Sequence, residues 1–300
     1  MMSFIEENRA VFGVGPICRV LPIAPSTYYA RAAIILDPSR ASGRAKQDAK
    51  DAVDIKRAFD ASGGRYGARK VWHALKRGGS DIARCTVERL MKAMGLQGVV
   101  RGKKVITTNP DTSQPCPEDK VNRTFVAERP NQLWVSDFTY VPSWRGTVYV
   151  AFVIDVFARK IVGWRVSSSM TTAFVLDALN QVICQRTPSE TGLIHHSDRG
   201  SQYLSIKYTE RLAEEGIDPS VGSVGDSYDN ALAESVIGLF KTEVINFLGP
   251  WKSMAQVEWQ TLKWVDWYNS ERLHSAIGYL SPNEAEEAFY ADMSLHAKAA

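Results

Sequence analysis

The first third of the chain carries hydrophobic residues at intervals of three and four positions, the spacing that places side chains on one face of a helix. Two such segments follow each other, and the turn-forming stretch Gly78-Gly79-Ser80 separates them. The pattern predicts a helix, a turn and a second helix. Short apolar clusters between turn signals predict further short helices over residues 4–36. The apolar positions of the two main helices are Val71, Leu75, Val87, Leu90, Met91 and Met94.

After about residue 130 the pattern changes to runs rich in Val, Ile, Phe, Tyr and Trp, which favour β-strands. Three runs in succession predict antiparallel strands, and a helix then leads to a fourth, short strand. This order of elements predicts an α/β fold with a mixed sheet. The predicted strands span 132–141, 147–158, 160–169 and 193–198. The predicted helices span 171–186, 205–216 and 231–248.

An aperiodic stretch with four prolines between residues 105 and 130 indicates a linker. A chain of 300 residues is long enough for about two domains. We therefore divide it into an N-terminal helical segment (1–45), a helix-turn-helix-like region (46–104), a linker (105–128), an α/β domain (129–290) and a tail (291–300).

Charge is distributed unequally, although the formal net charge of the whole chain is only +3. Residues 1–130 hold 23 Lys and Arg against 13 Asp and Glu, a net charge of +10. Residues 131–300 hold 13 against 20, a net charge of −7. The basic part favours binding of a polyanion. The acidic part is either a solvated surface or a site built from carboxylates.

The basic helix-turn-helix pattern predicts a DNA-binding region whose Lys and Arg side chains contact backbone phosphates. A small helical bundle with a solvated basic face explains the same pattern about as well. The candidate phosphate contacts are Arg65, Arg69, Lys70, Arg84 and Arg89.

Several protein classes are excluded by the remaining composition. The four cysteines are scattered and form no Cys-x-x-Cys pair, which argues against a zinc site and a disulfide framework. Glu6 and Glu7 lie where a secretory signal would be basic, and no apolar run is long enough to span a membrane. We therefore expect a cytoplasmic protein without membrane segments.

Three acidic residues are candidates for a metal site. Asp137 interrupts an apolar strand, where an ionised carboxylate is costly unless a cation or hydrogen bonds compensate it. Asp198 ends the fourth strand, and Glu234 lies in the first turns of the helix at 231–248. Taken singly, each has a structural explanation, as a hydrogen-bonded strand residue, a turn residue or a solvated helix residue. Oxygen ligands without a His or Cys cluster favour Mg²⁺ over zinc.

Lys241 follows Glu234 by seven residues, which is nearly two helical turns, so both side chains share a face about 10 Å apart. Asn230 lies one turn before Glu234 on the same face. The apolar residues of this helix lie toward its opposite side. One stripe of the helix is therefore polar and basic, and the face that Asn230 shares with Glu234 favours Asn230 for a DNA contact at the site.

Other polar residues near these positions have a simpler structural interpretation. Strand alternation places His196, and not His195, on the face of Asp198, where it could act as a general base. A water activated by a metal ion would not need such a base. Asp155 resembles Asp137 locally, and its position at a hairpin end favours a structural role. Four tryptophans near the C-terminus are predicted core residues. They are Trp251, Trp259, Trp264 and Trp267.

Motifs along nearly the whole chain carry a family resemblance. They are PICRVLPIAPSTYYA, RYGARKVW, PNQLWVSDFTYV, VIDVFARKIVGW, HHSDRGSQY, SVGDSYDNALAESVIGLFKTE and YNSERLHSAIGYLSP. In these motifs the chain resembles the DDE transposases and integrases of the retroviral-integrase superfamily. More narrowly, it is similar to insertion-sequence transposases whose catalytic part is encoded by the second of two overlapping reading frames. The length and order of the motifs make this resemblance specific.

The resemblance implies an RNase H-like mixed-sheet catalytic domain preceded by the small all-α helix-turn-helix region. It implies that Asp137, Asp198 and Glu234 bind two Mg²⁺ ions, or Mn²⁺ in their place, and that Lys241 approaches DNA. Water would be activated to nick the ends of an insertion element. The freed 3′-hydroxyl would then attack a second phosphodiester. The expected function is DNA cleavage and strand transfer by a transposase.

The resemblance also implies partners. These are the terminal repeats of the element and target DNA, on which the protein would form a homo-oligomer at the nucleoid. The first-frame segment of the family supplies a helix-turn-helix and a leucine zipper, whereas this chain starts at Met1 without a heptad run. A first-frame partner protein, or a fusion with it, is therefore expected.

Three rival functions remain open. An RNase H-like nuclease would hydrolyse nucleic acid without joining it. A DNA-binding regulator with a non-catalytic RNase H-like domain would bind DNA without cleaving it. A serine or tyrosine recombinase would form a covalent adduct with DNA.

Overall fold

The computed structural model describes residues 1–102, 119–121, 124–186, 192–198, 200–222 and 230–299. The N-terminal part of these ranges is helical, and the C-terminal part contains a mixed sheet with helices. The predicted α/β fold with a helical N-terminal region is therefore confirmed. Of the predicted linker, residues 119–121 and 124–128 lie within the described ranges.

Helices occupy the N-terminal part as far as residue 93. Pro25 begins the third helix, because its fixed φ suits the first helical position. The Ser42 hydroxyl caps the fourth helix by accepting a hydrogen bond from the Ala45 N–H at 3.2 Å. The helices are α1 (Met2–Phe12), α2 (Val14–Val20), α3 (Pro25–Leu36), α4 (Gly43–Ala61), α5 (Ala68–Arg77) and α6 (Arg84–Ala93).

The N-terminal helices pack into two apolar clusters. One joins α1, α2 and α3, and the other joins α4, α5 and α6. The second cluster contains the apolar positions that predicted the helix-turn-helix, which is confirmed. Leu273 also belongs to this cluster, and its backbone N–H donates a hydrogen bond to the Tyr66 hydroxyl at 2.8 Å. The helix-turn-helix region is therefore packed against the C-terminal part.

A five-stranded sheet with the order β3-β2-β1-β4-β5 forms the centre of the described C-terminal part. β1, β2 and β3 are antiparallel, whereas β4 and β5 run parallel to β1. The four predicted strands are confirmed, and β5 is an additional edge strand. The strands are β1 (Leu133–Ser143), β2 (Gly146–Asp155), β3 (Lys160–Ser167), β4 (Ile194–Ser197) and β5 (Asp218–Val221).

Helices follow the strands and cover the sheet. They are α7 (Thr172–Arg186), α8 (Ile206–Glu214), α9 (Ala231–Phe240), α10 (Asn246–Leu248), α11 (Met254–Ser270) and α12 (Pro282–Ala299). The predicted single helix at 231–248 contains a π-helical turn, Lys241–Ile245, between α9 and α10. None of the described helices combines the length and apolar character needed to cross a bilayer.

Both faces of the sheet are buried, and the alternation of side chains along β1 separates two layers. Leu133 and Val135 contact a core that includes α9 and α11. Trp134 contacts a second core that includes α7 and α8. Burial on both faces explains why the strand sequences are almost continuously apolar.

One prediction about burial is wrong. Trp259 is 55% exposed on α11, whereas Trp264 is buried. Five helical steps turn the first side chain about 140° from the second, so both cannot face the core. The described end of the predicted linker also packs on the α/β domain, since Val121 is buried in its core. The Lys120 N–H donates to the Ser220 hydroxyl at 2.9 Å.

Gly163 on β3 permits close packing of α7 on the sheet. A Cβ at this position would lie 2.3 Å from Val182 Cγ2 and 2.5 Å from the Ala178 carbonyl oxygen, both on α7. We expect Gly163→Ala to lower the free energy of unfolding by about 1–3 kcal/mol, because α7 must move away. Urea unfolding measures this change. Gly43→Ala is the control, because its Cβ would have no neighbour within 4 Å; equal effects of both variants would contradict the prediction.

Candidate active site

Asp137 and Asp198 lie next to each other where the pairing of two parallel strands ends. Ser136 on β1 and Ser197 on β4 form the last pair of the register, and each aspartate directly follows one of them. Neighbouring strands are about 4.8 Å apart. The Asp137 carboxylate accepts a hydrogen bond from the Phe138 N–H at 2.7 Å. Two acids separated by 60 residues in the sequence are therefore brought to one edge of the sheet.

Helix α9 adds Glu234 to this edge. The Asn230 side chain, directly before α9, donates from Nδ2 to the Ser136 carbonyl oxygen at 2.9 Å. This bond holds the first turn of α9, which carries Glu234, beside β1. The charge of Glu234 raises the pKa of both Asp137 and Asp198. The three predicted acids therefore lie close enough to interact electrostatically.

Burial is the main reason why the pKa of Asp137 lies well above its ordinary value. The negative charge of Asp198 raises the pKa of Asp137 further, and that of Glu234 adds to it. The Phe138 N–H and the Lys241 ammonium oppose this rise. Burial, and then the charge of Glu234, also raise the pKa of Asp198, although its hydrogen bond from the Gly200 N–H opposes them. A cation between these carboxylates would stabilise their ionised forms.

The donor set fits a hard divalent cation. Three carboxylates offer only oxygen ligands, which Mg²⁺ and Mn²⁺ prefer. A bound cation would also relieve the repulsion that raises the pKa of Asp137. Within the described ranges, no three His, Cys, Asp or Glu side chains are close enough to form a complete metal-binding cluster. The acids are therefore gathered at one edge without forming a closed ligand shell.

Lys241 and Asn230 both lie beside the acids, but they differ in exposure. Lys241 is half-buried, and its ammonium lies 5.7 Å from the centroid of the Tyr140 ring. Its charge lowers the pKa of Asp137, so Lys241 shares the surroundings of Glu234 as the helix spacing predicts. Asn230 is buried and bonded to the backbone, which favours a role in holding α9. DNA contacts by these residues stay predictions.

The two histidines of β4 have internal partners. His195 Nε2 lies 2.7 Å from the Ser136 hydroxyl and 3.1 Å from the Tyr208 hydroxyl. Burial lowers the pKa of His195 to about 3, so this ring is neutral near pH 7. His196 Nδ1 lies 2.9 Å from the Ser220 hydroxyl. These contacts agree with the structural interpretation of both residues.

Two of the predicted phosphate contacts lie where the helix-turn-helix region meets the C-terminal part. Arg65 Nε donates to the Glu243 carbonyl oxygen at 3.1 Å, and its guanidinium lies 5.0 Å from the Trp267 ring. The Lys70 ammonium lies 5.0 Å from the Tyr66 ring, and burial lowers the pKa of Lys70 to about 7. These intramolecular contacts do not support Arg65 and Lys70 as surface phosphate contacts.

The other three predicted contacts are exposed. Arg84 pairs with Glu88 at 3.2 Å, and Arg89 pairs with Asp48 at 2.7 Å. Arg69 is exposed on α5. Exposed ion pairs contribute little to stability, so these side chains can exchange their partners for phosphates at small cost. DNA binding by Arg69, Arg84 and Arg89 therefore stays a prediction.

A buried ion pair beneath the site was not predicted from the sequence. Arg272 Nη2 donates to Glu243 Oε1 at 2.6 Å, and Trp264 Nε1 donates to Glu243 Oε2 at 3.0 Å. Glu243 lies in the π-helical turn, two residues after Lys241. The pair therefore fixes the turn that carries Lys241. The sequence contains one signal that could have revealed this buried pair: Glu243 follows Phe240 by three residues and so lies on the apolar side of the helix.

The chain is similar to known families and proteins along nearly its whole length. A model of the integrase core domain matches residues 127–227, a second integrase core domain model matches 215–282, and an HTH-like domain model matches 46–104. The transposase for insertion sequence element IS629 of Shigella sonnei is 55% identical over 293 residues, which cover 98% of each chain. The putative transposase for insertion sequence element IS986/IS6110 of Mycobacterium tuberculosis (strain CDC 1551 / Oshkosh) is 52% identical over 90% of this chain and 97% of its own.

Among solved structures, the catalytic core domain of BIV integrase aligns with a TM-score of 0.41 at 20% identity, covering 57% of this chain and 99% of its own. The HTLV-2 integrase catalytic core domain in complex with magnesium (trimeric form) aligns with a TM-score of 0.41 at 16% identity, covering 53% of this chain and 98% of its own.

Removing Glu243 would leave the buried Arg272 without its counter-ion. We expect Glu243→Ala to lower the free energy of unfolding by about 3–5 kcal/mol, because an unpaired buried charge is costly. The double variant Glu243→Met, Arg272→Met removes both charges and should recover most of that loss. Urea unfolding of the three proteins gives the comparison. Glu258→Ala on α11 is the control, and a double variant less stable than Glu243→Ala would contradict the prediction.

Lys70 should make stability depend on pH. The pKa of Lys70 in the folded protein, about 7, lies below the ordinary value for lysine. Between about pH 7 and 10 the unfolded chain therefore binds more protons than the folded protein does. The free energy of unfolding should therefore rise with pH in that window, by at most about 1.4 kcal/mol per pH unit. Lys70→Met should remove this rise in urea unfolding at pH 7, 8 and 9. Lys92→Met, at an exposed position, should retain it; loss in both would refute the assignment.

Proposed function

The chain belongs to the insertion-sequence transposases that carry an integrase core domain, and we propose that Asp137, Asp198 and Glu234 are its catalytic carboxylates. In this proposal the chain cleaves DNA at the ends of its element and joins those ends to target DNA. The observation that carries the proposal is the placement of the acids. Asp137 and Asp198 directly follow the last residue pair of β1 and β4, and the bond from Asn230 to Ser136 holds the first turn of α9, which carries Glu234, beside β1.

The three carboxylates would hold two Mg²⁺ ions, or Mn²⁺ in their place. Such ions supply positive charge that stabilises the charge developing on the phosphate oxygens. The side chains themselves need form no covalent bond with DNA, because phosphoryl transfer requires mainly positioning and charge stabilisation. Asp137 and Asp198 are held by the sheet, and Glu234 is held by α9.

Asn230 and Lys241 would assist from the two ends of α9. Asn230 ties the start of the helix to the Ser136 carbonyl and so fixes the distance between Glu234 and Asp137. Lys241 is half-buried and close enough to Asp137 to act on it electrostatically, and its ammonium would bind a phosphate of the DNA entering the site. The Glu243–Arg272 pair holds the turn on which Lys241 lies.

The partners in this proposal are element ends and target DNA. The HTH-like region at 46–104 would bind the element end, with Arg69, Arg84 and Arg89 on phosphates. Cutting two ends in one reaction calls for more than one copy of the site, so we propose a homo-oligomer on DNA at the nucleoid in the cytoplasm. A first-frame partner protein or fusion would supply a further DNA-binding segment.

The rival functions make different products. A DNA-binding regulator is not favoured, because relatives that match the chain over nearly their whole length are named transposases. A nuclease would release cut ends without joining them. A serine or tyrosine recombinase would leave protein covalently attached to DNA.

Asp137→Asn should abolish nicking while leaving binding of the DNA end largely intact, because the variant loses one charged oxygen ligand without a change in side-chain size. We expect a loss of at least about 100-fold in the rate of cleavage. The assay incubates wild type and variant with labelled ends of the element that encodes the chain and Mg²⁺, with and without the first-frame partner, and follows cleavage and joining. Asp266→Asn at an exposed position on α11 is the control. Nicking by Asp137→Asn at a rate near that of wild type would end the proposal.

A further inference from the structure

The hairpin between β1 and β2 exposes two large aromatic rings next to the acidic residues. Trp144 occupies the turn of the hairpin and is 70% exposed, and Tyr140 on β1 is 44% exposed. Tyr140 lies three residues after Asp137, which corresponds to about 10 Å along a strand. Rings with this degree of exposure are available to a ligand.

A lysine accompanies each of these rings. The Lys241 ammonium lies 5.7 Å from the Tyr140 ring centroid, and the Lys252 ammonium lies 5.7 Å from the Trp144 ring centroid. The Trp144 N–H also donates to the Trp251 carbonyl oxygen at 3.0 Å, directly before Lys252. In each pair, the ring therefore comes from segment 140–144 and the ammonium group comes from segment 241–252.

The charge of this surface is positive. Residues 138–149 contain Arg145 and no acidic residue. Residues 241–252 contain one acidic residue, Glu243, which is buried and paired with Arg272. The charges along both segments would thus attract an anion. The surface continues to the carboxylates, because Tyr140 follows Asp137 on β1 and Lys241 directly follows α9, which carries Glu234.

We propose that Tyr140, Trp144, Lys241 and Lys252 form a strip that binds a single-stranded segment of the DNA end. Unpaired bases stack on the two rings, and the two ammonium groups bind phosphates. From Asp137 to the turn the strip is roughly 23 Å long, which leaves room for several nucleotides of an unpaired strand. This inference rests on the proposed function, since the same DNA strand reaches the carboxylates.

The inference is tested by comparing how tightly the protein binds a fully paired DNA end and a DNA end whose terminal bases are unpaired. The substrates are two versions of the element's own end, one fully paired and one with its terminal bases mismatched and carrying 2-aminopurine. Binding is measured with a chelator present, so that no cleavage occurs. Wild type should bind the frayed end more tightly than the paired end and quench the 2-aminopurine fluorescence on stacking.

Trp144→Ala should weaken binding of the frayed end by about tenfold, lose the quenching and leave binding of the paired end unchanged. Trp144→Phe keeps a ring and should retain most of the preference. Trp259→Ala is the matched control, because its exposed ring also has a lysine, Lys263, at 4.8 Å, but lies on α11, which packs on β3, an edge strand that β2 separates from β1. Urea unfolding checks that each variant is folded.

Two results would overturn the inference. One is equal affinity of wild type and Trp144→Ala for the frayed end. The other is unchanged DNA binding with an altered oligomeric state in light scattering, which would make the strip a contact between copies of the chain. Cleavage and joining by wild type are measured in parallel. If wild type cleaves and joins DNA while Trp144→Ala shows either of these two results, only the inference about the strip is overturned. If wild type neither cleaves nor joins DNA, the proposed function itself is overturned.

Discussion

The parallel pairing of β1 with β4 is the constraint on which the candidate site depends. It sets Asp137 beside Asp198, although each side chain would be more favourably solvated elsewhere. The repulsion between the acids is tolerated because packing on both faces of the sheet fixes the two strands. The fold therefore holds negative charges close together in the arrangement that a divalent cation would stabilise.

The helix α9 completes this arrangement through bonds at its two ends. Asn230 joins the start of α9 to the Ser136 carbonyl, and the Glu243–Arg272 pair fixes the π-helical turn that follows it. The same turn receives the Arg65 guanidinium from the helix-turn-helix region through the Glu243 carbonyl. A basic region and an acidic region that are distinct in sequence are thus joined directly at the helix that carries Glu234. Arg65 and Lys70 contribute to this junction, which explains why neither is a free surface cation.

Most of the elements could be predicted because their causes are local. The strand runs are apolar over lengths typical of strands, and α5 and α6 carry apolar residues at helical spacing. The features that local patterns miss depend on contacts with residues from elsewhere in the chain. Trp259 has the same local pattern as Trp264 but faces away from the sheet, and the basic character of Lys70 does not reveal the Tyr66 ring beside it. Val121 lies in a segment with linker composition, yet it is buried because it follows the edge of the sheet.

The sequence by itself determined the family, the order of strands and helices and the identity of the three acids, because these follow from local periodicity and from motifs of fixed residue types. Only the tertiary structure decided that Asp137, Asp198 and Glu234 are close enough to interact, which basic side chains stay exposed and that Glu243 is paired with Arg272. These properties depend on contacts between residues that are far apart in the chain. Strand register and helix packing create such contacts, and no local pattern encodes them.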